Sequence, residues 1–74
     1  MIQQYISIRQ GTSLLTYQIL SDTVSNINYI GIAPTGSSQD DEWQISELTI
    51  ADDGSVVSRF AIGSWNNRYI LNYV

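Results

Sequence analysis

The densest group of potential ligands is Asp40, Asp41 and Glu42, which with Ser37, Ser38 or Gln39 would offer the oxygen atoms a calcium ion takes. Their spacing matches no EF-hand loop. An acidic run between strands is normally a solvated cap, so no metal is expected there. Asp52 and Asp53 precede Gly54, and Asp-Gly supplies the positive φ of a tight hairpin connection, so turn chemistry accounts for both acids. As an acid and base pair they would need enclosure to split their pKa values. Serine nucleophiles have no histidine as base, and no lysine exists to replace it or to form a Schiff base. Without cysteine there is neither a disulfide nor a thiolate metal site. Gly31, Gly36, Gly54 and Gly63 are scattered, unlike the closely spaced glycines of a phosphate cradle. The chemistry expected is therefore contact: no catalytic residue, no metal and no cofactor.

Contact needs large side chains, and some carry a polar handle. Trp43 is in phase with Ile45 and reads as a core anchor, whereas Trp65 reads equally as core or interface. Five tyrosines are many for 74 residues, so some must reach the surface. Tyr5, Tyr17 and Tyr69 are the interface candidates among them, together with Ile2, Ile6 and Ile8 near the start. Arg68 follows Trp65-Asn66-Asn67 and joins these candidates, able to stack on an indole or pair with an acid of the long loop. A local structural clamp is the commoner use of such an arginine.

The elements that must position these residues are extended, because apolar residues recur with a period of two. Ile2, Ile6 and Ile8 share one parity, with Gln3, Ser7 and Arg9 on the other, and Gln10-Gly11-Thr12 breaks the run. Leu15, Tyr17 and Ile19 then alternate against Thr16 and Gln18, and Ser21-Asp22 is expected to turn the chain. Residues 13–25 also fit a short helix lined by Leu14, Leu15 and Ile19. A third strand over 26–33 is closed by Pro34, which cannot donate to a ladder. Residues 34–42 contain no large apolar side chain and read as a surface loop. In 43–50, Trp43 and Ile45 share one parity while Leu48 and Ile50 share the other, which predicts a bulge or a switch of packing face. Residues 56–62 return antiparallel, 63–67 form a corner, and Tyr69, Leu71 and Tyr73 predict a last strand. The expected fold is all-β: one domain over 1–74, a small antiparallel curled sheet, barrel or sandwich of five to six short strands. Closure would remove exposed edges. Residues 1–10 read equally as an extended N-terminal arm or an edge strand.

Composition narrows the partners. Seven acids against three arginines give a net charge of -4, which repels a phosphate backbone, so nucleic acid is not expected. No apolar run approaches the roughly 20 residues of a spanning helix, and the start lacks the basic and apolar regions of a signal peptide. Charged residues make up only 14 % of the chain, leaving a neutral polar surface that is cheap to desolvate against protein. A domain this short buries only roughly 60 % of its unfolded surface, which raises the expectation of a partner chain.

Tyr29-Ile30-Gly31-Ile32-Ala33-Pro34, then Gly36, Trp43-Gln44-Ile45, and Trp65-Asn66-Asn67-Arg68 with Leu71 and Tyr73 resemble a family of very small proteins encoded in tailed-bacteriophage genomes. The family pattern is a tyrosine strand, an Ala-Pro-Gly turn, a Trp-x-Ile strand and a terminal Trp-Asp-Asn-Arg corner. It covers 29–73, and Asn66 stands where the family usually has aspartate. The resemblance marks Tyr29, Gly31, Pro34, Gly36, Trp43, Ile45, Leu71 and Tyr73 as structural positions, to which the hairpin adds Gly54. It implies a virion or tail-associated structural role.

The expected function is that of a non-enzymatic phage structural protein: capsid decoration or cement, neck or tail component. Its partners would be other copies of itself and major virion proteins, with no nucleic acid and no membrane. Its location would be the virion, assembled in the host cytoplasm. Residues 1–9 would suit strand addition to a neighbour's sheet edge. Two alternatives stand beside this. One is a receptor- or carbohydrate-binding module of a tail fibre, stacking glycans on Tyr5, Tyr17, Tyr69 or Trp65. The other is a small inhibitor of a host protein, steered by Asp40, Asp41 and Glu42.

Overall fold

The computed structural model describes residues 2–10 and 13–74, with side chains described outside 8–10 and 13–15. Among the described residues five strands form one antiparallel sheet in chain order: β1 (Ile2–Gln10), β2 (Ser13–Val24), β3 (Ile27–Pro34), β4 (Trp43–Ile50) and β5 (Val56–Gly63). A 3-10 turn follows at Trp65–Asn67, and the chain ends in a non-strand tail over 68–74. The β-branched and aromatic residues that crowd these segments fit a pleated surface, so extended structure prevails throughout. Residues 13–24 are a strand, which removes the helical alternative. Gly11 and Thr12 of the expected first break lie outside the described residues.

Local chemistry sets the reversals. Ser21 and Asp22 do not turn the chain; they pair with Ile30 and Tyr29, and the reversal comes at Ser25, whose φ of 56° is left-handed. Leu20, which the alternation had left aside, carries the strand onward. Gly54, at φ 87°, completes the β4–β5 turn, where the Asp53 carboxylate accepts from the Ser55 N–H at 2.9 Å and its hydroxyl at 2.7 Å. The loop at 35–42 starts on Gly36, at φ 97°, with the Ser37 N–H donating to Pro34 O at 3.1 Å. Pro34 pairs with Tyr17 on β2 and with nothing on β4, as a residue without an N–H should.

The register assigns two faces. On one, Gln18 and Leu20 of β2 stand beside Ala33, Gly31 and Tyr29 of β3, and then Trp43, Ile45 and Glu47 of β4. The tail crosses this face. Leu20, Tyr29, Ala33, Trp43, Ile45 and Trp65 form the buried core there, flanked by Ile27, Leu71 and Tyr73. The rings of Trp43 and Trp65 are 6.1 Å apart, and Tyr29 meets Tyr69 edge-on at 5.3 Å.

Three expectations are corrected. Tyr69, Leu71 and Tyr73 do not form a sixth strand: only Val74 exchanges a ladder-like pair of bonds, with Phe60 at 2.9 and 3.0 Å, while the rest of the tail lies across the sheet. The sheet is neither closed nor strongly curled, and β1 and β5 are its edges. The tail occupies the space on one face that an opposing barrel wall would need. The parity conflict in β4 needs no bulge, because pairing runs unbroken from Trp43↔Gly63 to Ile50↔Val56; Leu48 and Ile50 simply lie on the second face.

Candidate functional site

The second face carries no tail, and it is nearly as apolar as the first. Successive rows run across it perpendicular to the strands. One row is Ile2, Ser21, Ile30, Ser46 and Phe60, each opposite the next; its neighbour is Gln4, Ile19, Ile32, Gln44 and Ile62. A shorter row of Ile6, Tyr17 and Pro34 follows on the loop side, while on the other side the more polar row Thr23, Asn28, Leu48 and Ser58 precedes Ile50, which stands opposite Val56 at the far end. Among the described side chains the strands place no charged residue on this face, and Glu42 borders it at the loop end. Ile2 is 62 % exposed, Phe60 58 % and Ile62 65 %. So many large side chains left in water on one continuous surface mark an interaction site rather than the scattered exposure of an ordinary monomer.

At the loop end, Ile6, Tyr17, Ile32, Pro34 and Trp43 frame a groove of about 420 Å³, with Glu42 and Gln44 also on its wall. The groove is an apolar depression in the open face. Glu42 contributes a carboxylate there.

The covered face places its polar groups in a fixed network. Arg68 donates from Nε and Nη2 to Asp22 Oδ2 at 3.1 and 2.9 Å and from Nη1 to Trp65 O at 3.0 Å. Its guanidinium carbon lies 4.6 Å from the ring centres of both Trp65 and Tyr69. Tyr69 donates to the same Asp22 oxygen, and Tyr73 donates to Arg68 O at 2.7 Å. The Tyr69 hydroxyl, and then the guanidinium, hold the Asp22 carboxyl below its usual range. The bond to Asp22 raises Tyr69, while burial raises Tyr29 and pushes Tyr73 up to about 12. These bonds tie the tail to β2. Nearby, Gln18 Nε2 donates to Ser37 O at 2.6 Å and Pro34 O at 3.3 Å, and its oxygen accepts from Gln3, which fastens the loop. Glu47, also buried, accepts from Arg59 Nε at 3.0 Å.

The expected interface residues divide between the faces. Ile2, Ile6 and Tyr17 lie together on the open face, and the side chain of Ile8 lies outside the described residues. Tyr5 is exposed but on the other parity, where Gln3 Nε2 donates to its hydroxyl at 2.9 Å. Trp65 has 0 % exposure and is core, which removes it as an interface anchor or glycan platform. Arg68 is a clamp with a side chain 14 % exposed, and Tyr69 shares its network. Its ion-pair partner is Asp22 of β2, 46 residues away, and not an acid of the long loop. Of the expected arm, Ile2–Gln10 form β1, paired to β2, with an outer edge that pairs with no other strand among the described residues, and residue 1 lies outside them.

Among the acids, Asp41 accepts from the Ser38 N–H at 2.7 Å and Asp40 accepts from Asn66 Nδ2 at 2.7 Å, so both build the loop. No group of three or more metal-ligating side chains forms among the described residues. Gln18, Asp22, Glu47, Phe60 and Ile62 escaped sequence reasoning. The available signal was that Gln18 and Asp22 share the parity of Leu20, opposite Tyr17 and Ile19. Comparison with family models, curated proteins and solved structures returned no match for the chain.

Proposed function

We propose that this chain is a non-enzymatic structural protein of a tailed bacteriophage, which packs its open sheet face onto protein in the virion. The observation that carries the packing role is the apolar character of that face: an antiparallel sheet with one solvated face normally turns polar residues to water, whereas here Ile2, Ile6, Phe60 and Ile62 stand exposed. The phage context comes from the resemblance over 29–73. Trp43, Gly31 and the Trp65-to-Arg68 corner, which carry that resemblance, build the covered side and so hold the sheet rigid for contact. A rigid, weakly charged surface suits a component present in many copies, because no disordered segment has to be ordered on each docking event.

Quantitative mass spectrometry of purified particles of the encoding phage tests this. The expected result is the chain in the particle at many copies, with an Ile62→Lys phage losing it from the virion while the isolated variant stays folded. Absence of the wild-type chain from the particle would refute the virion role. Retention of the Ile62→Lys chain at full copy number would refute the packing face.

A further inference from the structure

We propose that the open face is the contact between two copies of this chain, packed face to face as a two-layered β-sandwich. This rests on the reading of that face as a protein-packing surface and names its occupant.

Charge favours a second copy. The chain carries a net charge of -4, so a partner selected by charge would be basic and would meet carboxylates. The described acids instead stand in the loop at 40–42, the turn at 52–53 and the covered face, at Asp22 and Glu47. Among the described acids only Glu42, at the loop end, borders the open face, so two copies avoid opposed carboxylates when their loop ends point apart.

Relief points the same way. Ser21 and Ser46 flank Ile30, with Phe60 beyond Ser46, so bulky and small side chains alternate across the row. In the next row Ile32 stands one step along β3 from Ile30's position, and Ile62 one step along β5 from Phe60's. Isoleucine ridges flanked by serine gaps let the ridges of one copy enter the gaps of another. That is the interdigitation by which paired sheets pack at a spacing of about 10 Å.

Area is sufficient. Five strands at about 4.8 Å, each near eight residues at about 3.3 Å, give a plan area of roughly 600 Å² per copy. Side-chain relief raises the accessible area above the plan area. Two copies then remove on the order of 1,200 Å² or more, which reaches the range of specific, stable interfaces. The same contact supplies the second layer that a 74-residue chain cannot provide for itself.

Sedimentation of the full chain from micromolar to near-millimolar concentration tests the proposal, with circular dichroism and tryptophan emission as readouts of fold. The wild type is expected to sediment as a dimer. Ile62→Lys should weaken association at least 100-fold with the circular dichroism unchanged, since Ile62 is 65 % exposed and stands outside the core. Should Ile62→Lys lose its fold, Ser46→Lys decides in its place, as its side chain extends over the open face. A wild type that stays monomeric throughout, or a dimer that the folded lysine variant leaves intact, overturns the proposal. A monomeric wild type whose Ile62→Lys variant still leaves the virion would overturn the dimer alone and keep the packing role. A face-dependent dimer in a chain absent from virions would support the dimer and refute the virion role.

Discussion

Gly31→Ala measures how tightly the two tryptophans hold the covered face. A Cβ at residue 31 would lie 2.6 and 2.8 Å from Cε3 and Cζ3 of Trp65 and 3.2 Å from Cε3 of Trp43. Carbon atoms pack at roughly 3.5–4.0 Å, so the Trp65 ring must retreat by about 1 Å. It has little room to do so, because Arg68 stacks on it at 4.6 Å and Trp43 stands 6.1 Å away. Overpacking of this kind costs about 1–3 kcal/mol, occasionally more. Relief of glycine's backbone entropy returns only about 0.5–1 kcal/mol. A net loss of about 1 kcal/mol is therefore expected, from a total stability of about 4–11 kcal/mol at this chain length. In a chain this short that lowers Tm by about 4–8 °C. Thermal melts followed by circular dichroism and tryptophan emission read it directly. In a Trp65→Leu background the clash is gone, so the same glycine substitution should cost at least about 1 kcal/mol less. Gly63→Ala is the control: its Cβ would meet Leu71 Cδ2 at 2.7 Å, the far end of a flexible side chain, and should cost less than about 1 kcal/mol. A Gly31→Ala protein as stable as wild type, or a cost unchanged without Trp65, would refute this account of the core.

Three further outcomes are expected. Because folding lowers the Asp22 pKa, its stabilisation is complete above the unfolded value of about 3.9 and is lost as pH falls through the folded value; acid melts should show Asp22→Asn to be less stable than wild type at neutral pH, with the gap closing toward pH 2. Tyr73 is raised to about 12, so its contribution is complete below the unfolded value of about 10 and is lost as pH rises toward 12; ultraviolet titration should show a late, unfolding-linked tyrosine step that Tyr73→Phe removes. Asn66→Asp would set a second carboxylate where Asn66 now donates to Asp40 at 2.7 Å, and should lower stability by about 1 kcal/mol at pH 7, as measured by urea denaturation.

Much of the fold was legible because strand signals are local. Trp43–Ile50 matched its expected bounds, β3 was displaced by one residue at both ends, β5 ran one residue further, and Asp52-Asp53-Gly54 turned where Asp-Gly chemistry requires. Parity was legible as alternation but not as direction. On β2 the apolar residues Tyr17 and Ile19 face outward while Gln18 is buried, since two loop carbonyls and Gln3 satisfy its amide. The open face was therefore hidden among residues that pattern alone would send to a core. Phe60 and Ile62 showed no local sign of belonging to it as exposed residues.

What the amino-acid order determined alone is the extended backbone, the Asp-Gly turn and the absence of histidine, lysine and cysteine, because each follows from residue type or short-range sterics. Which side of the sheet is inside was decided only by tertiary structure. Arg68 reaches Asp22, 46 residues away, and seats the tail on one face, so the opposite face remains open. Alternation is symmetric with respect to the two sides of a sheet. Only a distant segment that covers one of them breaks that symmetry.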